Sequence, residues 1–265
     1  MPEFMTRRLY DSEWMEAGCN GTFPPGTNTD DTFGCYASDY LIAVVCLLGA
    51  MAIATKADAS KWFKILVAGK FVFDGLGFGL AGLLHQIFHE DEDHMEHVLL
   101  WKISYTATLL GSLLLGLLVS KYLSDKFDSF FGYCQAYLNT TVVIVIGAVI
   151  LQTATEPKLI LTGAASGVLA LYGVVVFAIR CQWLSVAGLV TMLVGFLVQI
   201  VLAPKCGDNA YLDCFRDCPL PAPDFNHNAL FHCIYAVGVA LLAIDWRCNP
   251  LLEPKEDSEE AEPIP

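Results

Sequence analysis

His85 and His89 stand four residues apart in the segment His85-Gln86-Ile87-Phe88-His89, and Asn228 and His232 repeat that spacing later in the chain, with His227 one step around. On a helix, a spacing of four puts both side chains on one face, and two imidazoles so arranged can hold one metal ion. Two such helices would supply three nitrogen ligands to a shared site. All six histidines (His85, His89, His94, His97, His227 and His232) fall toward one predicted membrane face. Among them Glu90-Asp91-Glu92-Asp93, with Glu96, makes an acidic mouth that concentrates cations. His94 and His97 read as water-facing members of that loop. His85 and His232 lie inside apolar segments, where an imidazole without a partner is costly.

A second polar feature sits deeper. Lys70 and Asp74 lie near the middle of the second apolar segment at a spacing of four, which fits either a mutually neutralising pair or charges that mark a site or an ion path. Asp74 and His85 are eleven residues apart, about 16 Å along a helix axis and nearly on one face. Ser104 and Tyr105 in the third segment, and Tyr235 one turn beyond His232, are candidates to support the metal ligands by hydrogen bonding. These features also fit a receptor, a transporter or a channel that responds to pH or cations, because histidine titrates near physiological pH.

The ten cysteines divide by predicted membrane side. Cys19, Cys35, Cys206, Cys214 and Cys218 are expected outside, as disulfide candidates tying the N-terminal tail to the loop before the last segment. Their number is odd, so one is free or pairs with Cys46 or Cys233; a zinc site of Cys206, Cys214 and Cys218 is the alternative. The sequon Asn20-Gly21-Thr22 marks Asn20 for glycosylation on the same side.

The elements that must position these residues are membrane helices. Of 265 residues, 55% are hydrophobic and 16% charged, against about 25% charged in soluble domains. Seven apolar stretches, at about 40–55, 62–88, 98–120, 130–152, 159–179, 183–203 and 228–246, approach the roughly 20 residues that a bilayer core requires. Continuous runs such as Leu113–Val119 exclude the alternation of a barrel strand. The expected fold is therefore all-α: a polytopic membrane protein with seven transmembrane helices in residues 40–246, an outer tail 1–39 and an acidic, disordered cytoplasmic tail 247–265. Eight lysines and arginines flank the spans on one side against five on the other, so the rule that basic residues stay in the cytoplasm predicts N-out and C-in. No cleavable signal peptide is visible, and the first span is expected to act as the insertion signal. Residues 1–4 read as vector-derived. A net charge of −13 excludes the basic face that nucleic acid needs. Membrane lipid, cations or a lipid substrate are the expected partners, in the plasma membrane or an endomembrane.

With His85 near the end of span two and His227 and His232 at the start of span seven, the chain resembles the heptahelical superfamily of alkaline ceramidases and adiponectin-type receptors. Those proteins hold zinc with one histidine near the end of helix two and two at the start of helix seven. The resemblance implies a zinc site at the outer leaflet, with hydrolysis of a lipid amide or ester. The pattern departs from the superfamily in three places. His227 and His232 are five apart rather than four, Ala81 replaces the serine one turn before the helix-two histidine, and no acid appears among Lys102 to Thr108. The run from Asp224 to His232, with Leu100-Trp101-Lys102, also resembles a family of bacterial and eukaryotic multi-span proteins of unknown function.

Overall fold

In lipid no water is at hand for backbone amides and carbonyls, so an apolar segment of this length closes its hydrogen bonds within itself as a helix. A computed structural model describes residues 33–57, 59–87, 95–124, 145, 149, 159–206, 219–220 and 225–249, and all the regular structure among them is helical. The helices are α1 (Phe33–Ala54), α2 (Lys61–Ile87), α3 (Met95–Ser124), α4 (Leu159–Ile179), α5 (Trp183–Cys206) and α6 (His227–Cys248). Each is long and apolar enough to cross a membrane. The all-α membrane class expected from composition is what these residues form, and six of the expected spans coincide with α1 to α6. The fourth, 130–152, lies outside the described residues except for Val145 and Val149, both helical. Their side chains pack with Leu109 of α3 and Leu169 of α4.

One boundary moves. Helix α1 starts at Phe33 rather than at residue 40, because Ser38 and Asp39, whose polarity ended the apolar window, are buried inside the bundle. The expected outer tail 1–39 therefore loses its last turns to the membrane domain. Asn20 and residues 250–265 lie outside the described residues.

The helices touch in a closed ring in chain order, α1 on α2, α2 on α3, α3 on α4, α4 on α5, α5 on α6 and α6 back on α1. Phe63, Phe71, Phe177, Leu189, Leu242 and Trp246 are fully buried within it. Outside, Leu47, Trp62, Leu171, Val175, Leu197, Ile200 and Val237 are exposed. That arrangement is costly in water and favourable in lipid.

The ends are pinned by specific contacts. Asn226 caps α6, its side chain accepting from the amides of Asn228 and Ala229 at 3.0 and 3.1 Å. Between α4 and α5, Cys181 takes a left-handed conformation, φ 57°, while Gln182 N donates to Phe177 O at 2.9 Å, which closes the helix. At the far end of α6, Asp245 accepts from both the amide and hydroxyl of Ser185. Its carboxylate thus meets the positive N-terminus of α5. Lys56 donates to the carbonyl of Arg247 at 2.8 Å, tying the α1–α2 connection to the same end.

Candidate metal centre

The polar residues of α1 lie on one face because Cys35, Ser38 and Asp39 are spaced three and four apart. That face meets the last turns of α2 and the first turns of α6. Cys35, Asp39 and His85 each bring one ligand atom to within 4.8 Å of the others, and all three are buried. His232 approaches Asp39 from α6, its Nε2 3.3 Å from Asp39 Oδ1, while His85 Nε2 stands 4.0 Å from Asp39 Oδ2. One carboxylate is therefore shared by two imidazoles from different helices.

Hydrogen bonds decide which nitrogen of His232 is available. Ser38 Oγ donates to the Cys35 carbonyl at 2.8 Å and lies 3.0 Å from His232 Nδ1. A hydroxyl has one proton, so both contacts are made together only when Nδ1–H donates to Ser38. Nε2 then turns a lone pair toward a carboxylate oxygen 3.3 Å away, a contact that a cation, or a proton shared with Asp39, satisfies.

The donor set fits zinc. Bonds of about 2.0–2.3 Å in a tetrahedral site put ligand atoms about 3.4 Å apart; Cys35, Asp39 and His85 offer atoms within 4.8 Å of one another and His232 stands 3.3 Å from Asp39, so an ion would have to draw these side chains together. A thiolate, a carboxylate and two neutral imidazoles carry two negative charges, which a divalent cation neutralises. That neutrality matters in a site shielded from water. The thiolate and imidazole donors favour zinc over calcium or magnesium, which prefer all-oxygen sites.

The surroundings support the same atoms. Asn228 Nδ2 donates to Cys35 Sγ at 3.1 Å, so Asn228, expected as a ligand, instead holds the sulfur. Trp101 packs edge-on to His85 with ring centroids 5.2 Å apart, and Tyr105 lies behind Trp101 at 5.1 Å. His97, expected to face water, is buried and accepts from Trp101 Nε1 at 2.9 Å. Phe78 packs against His232 on one side and Tyr235 on the other, at 5.8 and 5.0 Å.

Of the expected ligands, His85 and His232 come together. His227 is fully buried in the first turn of α6; like His232, it is not one of the three mutually close groups Cys35, Asp39 and His85. His89 lies outside the described residues. Ser104 serves helix packing, donating to the Gly77 carbonyl at 2.8 Å, and Tyr235 belongs to a deeper cavity. Cys35, expected in a disulfide, is buried beside Asn228 as part of the centre. No disulfide occurs among the described residues. Cys19, Cys214 and Cys218 lie outside them, as does the side chain of Cys206. The contributions of Ser38 and Asp39 went unread in the sequence, although Cys35 and Asp39 repeat the four-residue spacing of His85 and His89.

Lys70 and Asp74 form the expected buried ion pair. It adjoins a cavity of about 20 Å³ lined by Lys70, Ser112, Ser166 and Tyr235 among others, roomy enough for one water. Ser112 donates to Ser166 at 2.8 Å across α3 and α4.

The sequence profile of a family of unknown function (DUF6962) matches residues 35–246, a range that starts at Cys35 and includes every residue of the centre. No curated protein matches the chain, and no solved structure does.

Proposed function

Since the chain belongs to this family of unknown function, its activity must be read from the site, and we propose that it is a zinc-dependent integral membrane hydrolase of lipid amides or esters. The observation that carries the reading is the convergence of Cys35, Asp39, His85 and His232 from three helices. Cys35, His85 and His232 would hold the ion. Bound zinc supplies Lewis acidity toward an acyl carbonyl and toward water. Asp39, whose oxygens face both imidazoles, is the proton acceptor that assists attack by water, and it supplies the second negative charge. Trp101 and Phe78 wall the imidazoles and limit the entry of bulk water. Seven helices, with the N-terminus and the centre at the outer leaflet of the plasma membrane or an endomembrane, a glycan on Asn20 and an acyl lipid as substrate complete the proposal.

Elemental analysis of the detergent-purified chain tests it. The expected result is about one zinc per chain in wild type and none in His85→Ala or His232→Ala, followed by chelator-sensitive turnover in a screen of lipid amides and esters. Turnover that survives complete removal of metal would sink the reading.

A second reading, a cation- or proton-conducting protein, is favoured by the buried Lys70–Asp74 pair beside its polar cavity. Flux into liposomes as the outer pH falls from about 7.5 to 5.5, across the ordinary histidine pKa of about 6.5, separates the two.

A further inference from the structure

We infer that Ser38 is a positioning residue that selects the metal-binding tautomer of His232. The inference rests on the zinc reading above and adds a role for a residue that touches neither metal nor substrate.

Ser38 Oγ is held between two groups of unequal character. On one side is the Cys35 carbonyl at 2.8 Å, which can only accept. On the other is His232 Nδ1 at 3.0 Å, which accepts or donates according to tautomer. If His232 carries its proton on Nε2, facing Asp39, then Nδ1 needs the serine proton, and the Cys35 carbonyl loses its hydroxyl donor. If His232 carries its proton on Nδ1, that N–H donates to Ser38, whose own proton goes to the carbonyl, and both hydrogen bonds are made. The second arrangement exposes the Nε2 lone pair toward Asp39 and His85, as metal binding requires. Ser38 therefore supports the ligating form of the imidazole once an ion takes the place of the Nε2 proton that Asp39 would otherwise accept. Because the carbonyl belongs to Cys35, the same hydroxyl couples the backbone of one ligand to the ring of another, across the α1–α6 contact.

The test measures zinc affinity of the full-length chain in detergent by competition with a chromophoric chelator, in wild type, Ser38→Ala and Ser38→Thr. Loss of a supporting hydrogen bond to a ligating histidine lowers metal affinity by about 10–100-fold. That loss is expected in Ser38→Ala, while Ser38→Thr, which keeps the hydroxyl, remains within about threefold of wild type. Cobalt-loaded Ser38→Ala should keep the thiolate-to-metal charge-transfer band of wild type, showing a weakened site with an intact ligand set. Nitrogen-15 spectra of the zinc-loaded protein, with His232→Gln to assign the signal, should show a fixed Nδ1–H on His232 in wild type and a broadened or shifted one in Ser38→Ala. If Ser38→Ala does not fold, Ser38→Thr against Ser38→Val gives the same comparison with and without the hydroxyl. Wild-type affinity and spectra in the hydroxyl-free variant overturn the inference and leave the zinc reading standing. Wild type that binds no zinc overturns both.

Discussion

His232 and Asp39 meet across the α1–α6 contact with Nε2 3.3 Å from Oδ1, and His85 approaches the other oxygen of the same carboxylate from α2. On the proposed reading the carboxylate is a counter-charge for the ion that the imidazoles would hold and a proton acceptor beside it. Asp39→Asn keeps the shape and removes the charge. Zinc should still bind, about tenfold or more weakly, as for loss of a supporting group, and turnover should fall far more than affinity. His85→Ala should instead abolish stoichiometric zinc. Parallel chelator titrations and lipid-hydrolysis assays check this, and equal loss of zinc in both variants would make Asp39 a ligand rather than the base.

Cys35 and Asn228 give a separate test. Asn228 Nδ2 donates toward Sγ at 3.1 Å, and an N–H donor stabilises the charged thiolate that a metal needs. Asn228→Leu should weaken zinc binding by about tenfold, the lower end for a supporting contact. Cobalt-loaded wild type should show a thiolate charge-transfer band that is absent in Cys35→Ser. Cobalt binding to wild type without that band would remove Cys35 from the ligand set.

Much of this was legible in the sequence, and what was not has a physical reason. Hydropathy located α2, α4 and α6 to within a residue or two, because lipid allows an apolar segment few alternatives to a helix. The same measure misplaced the start of α1, since Ser38 and Asp39 lower the local hydropathy whether they face water or a buried partner. His85 and His232 were recognisable as costly residues in apolar helices. Their neighbours on α1 were not, because the closure of α1 on α6 is a tertiary contact between residues 193 or 194 positions apart. The resemblance to zinc-binding heptahelical proteins drew attention to His227 for the same reason: spacing along one helix says nothing of what the neighbouring helix contributes.

Glycine placement yields a stability contrast. A Cβ on Gly111 would meet the Asp74 carboxylate, with Cγ at 3.1 Å and the Lys70 carbonyl at 3.2 Å, whereas one on Gly167 would meet nothing within 4 Å. Gly111→Ala must push α3 away from the ion pair of α2, at a cost of about 1–3 kcal/mol, as for other overpacked sites. Gly167→Ala should be neutral or stabilising, since alanine is the better helix former. Denaturation midpoints in detergent for the two variants check the contrast, and similar losses in both would contradict this packing of α2 on α3.

The Lys70–Asp74 pair separates a structural role from a transport role. Both side chains are almost wholly buried, so removing one leaves the other charge uncompensated. Lys70→Met should cost about 3–5 kcal/mol, and the double variant Lys70→Met with Asp74→Leu should recover most of that loss, as buried pairs replaced by apolar residues commonly do. Stability alone gives the same result for a packing device and for a station on an ion path. Flux does not: a packing device leaves liposome flux unchanged in the stable double variant, while a station on a path through the cavity beside Tyr235 and Ser166 abolishes it. A stable double variant with unaltered zinc and turnover would assign the pair to holding α2 together, independent of the proposed metal centre at its other end.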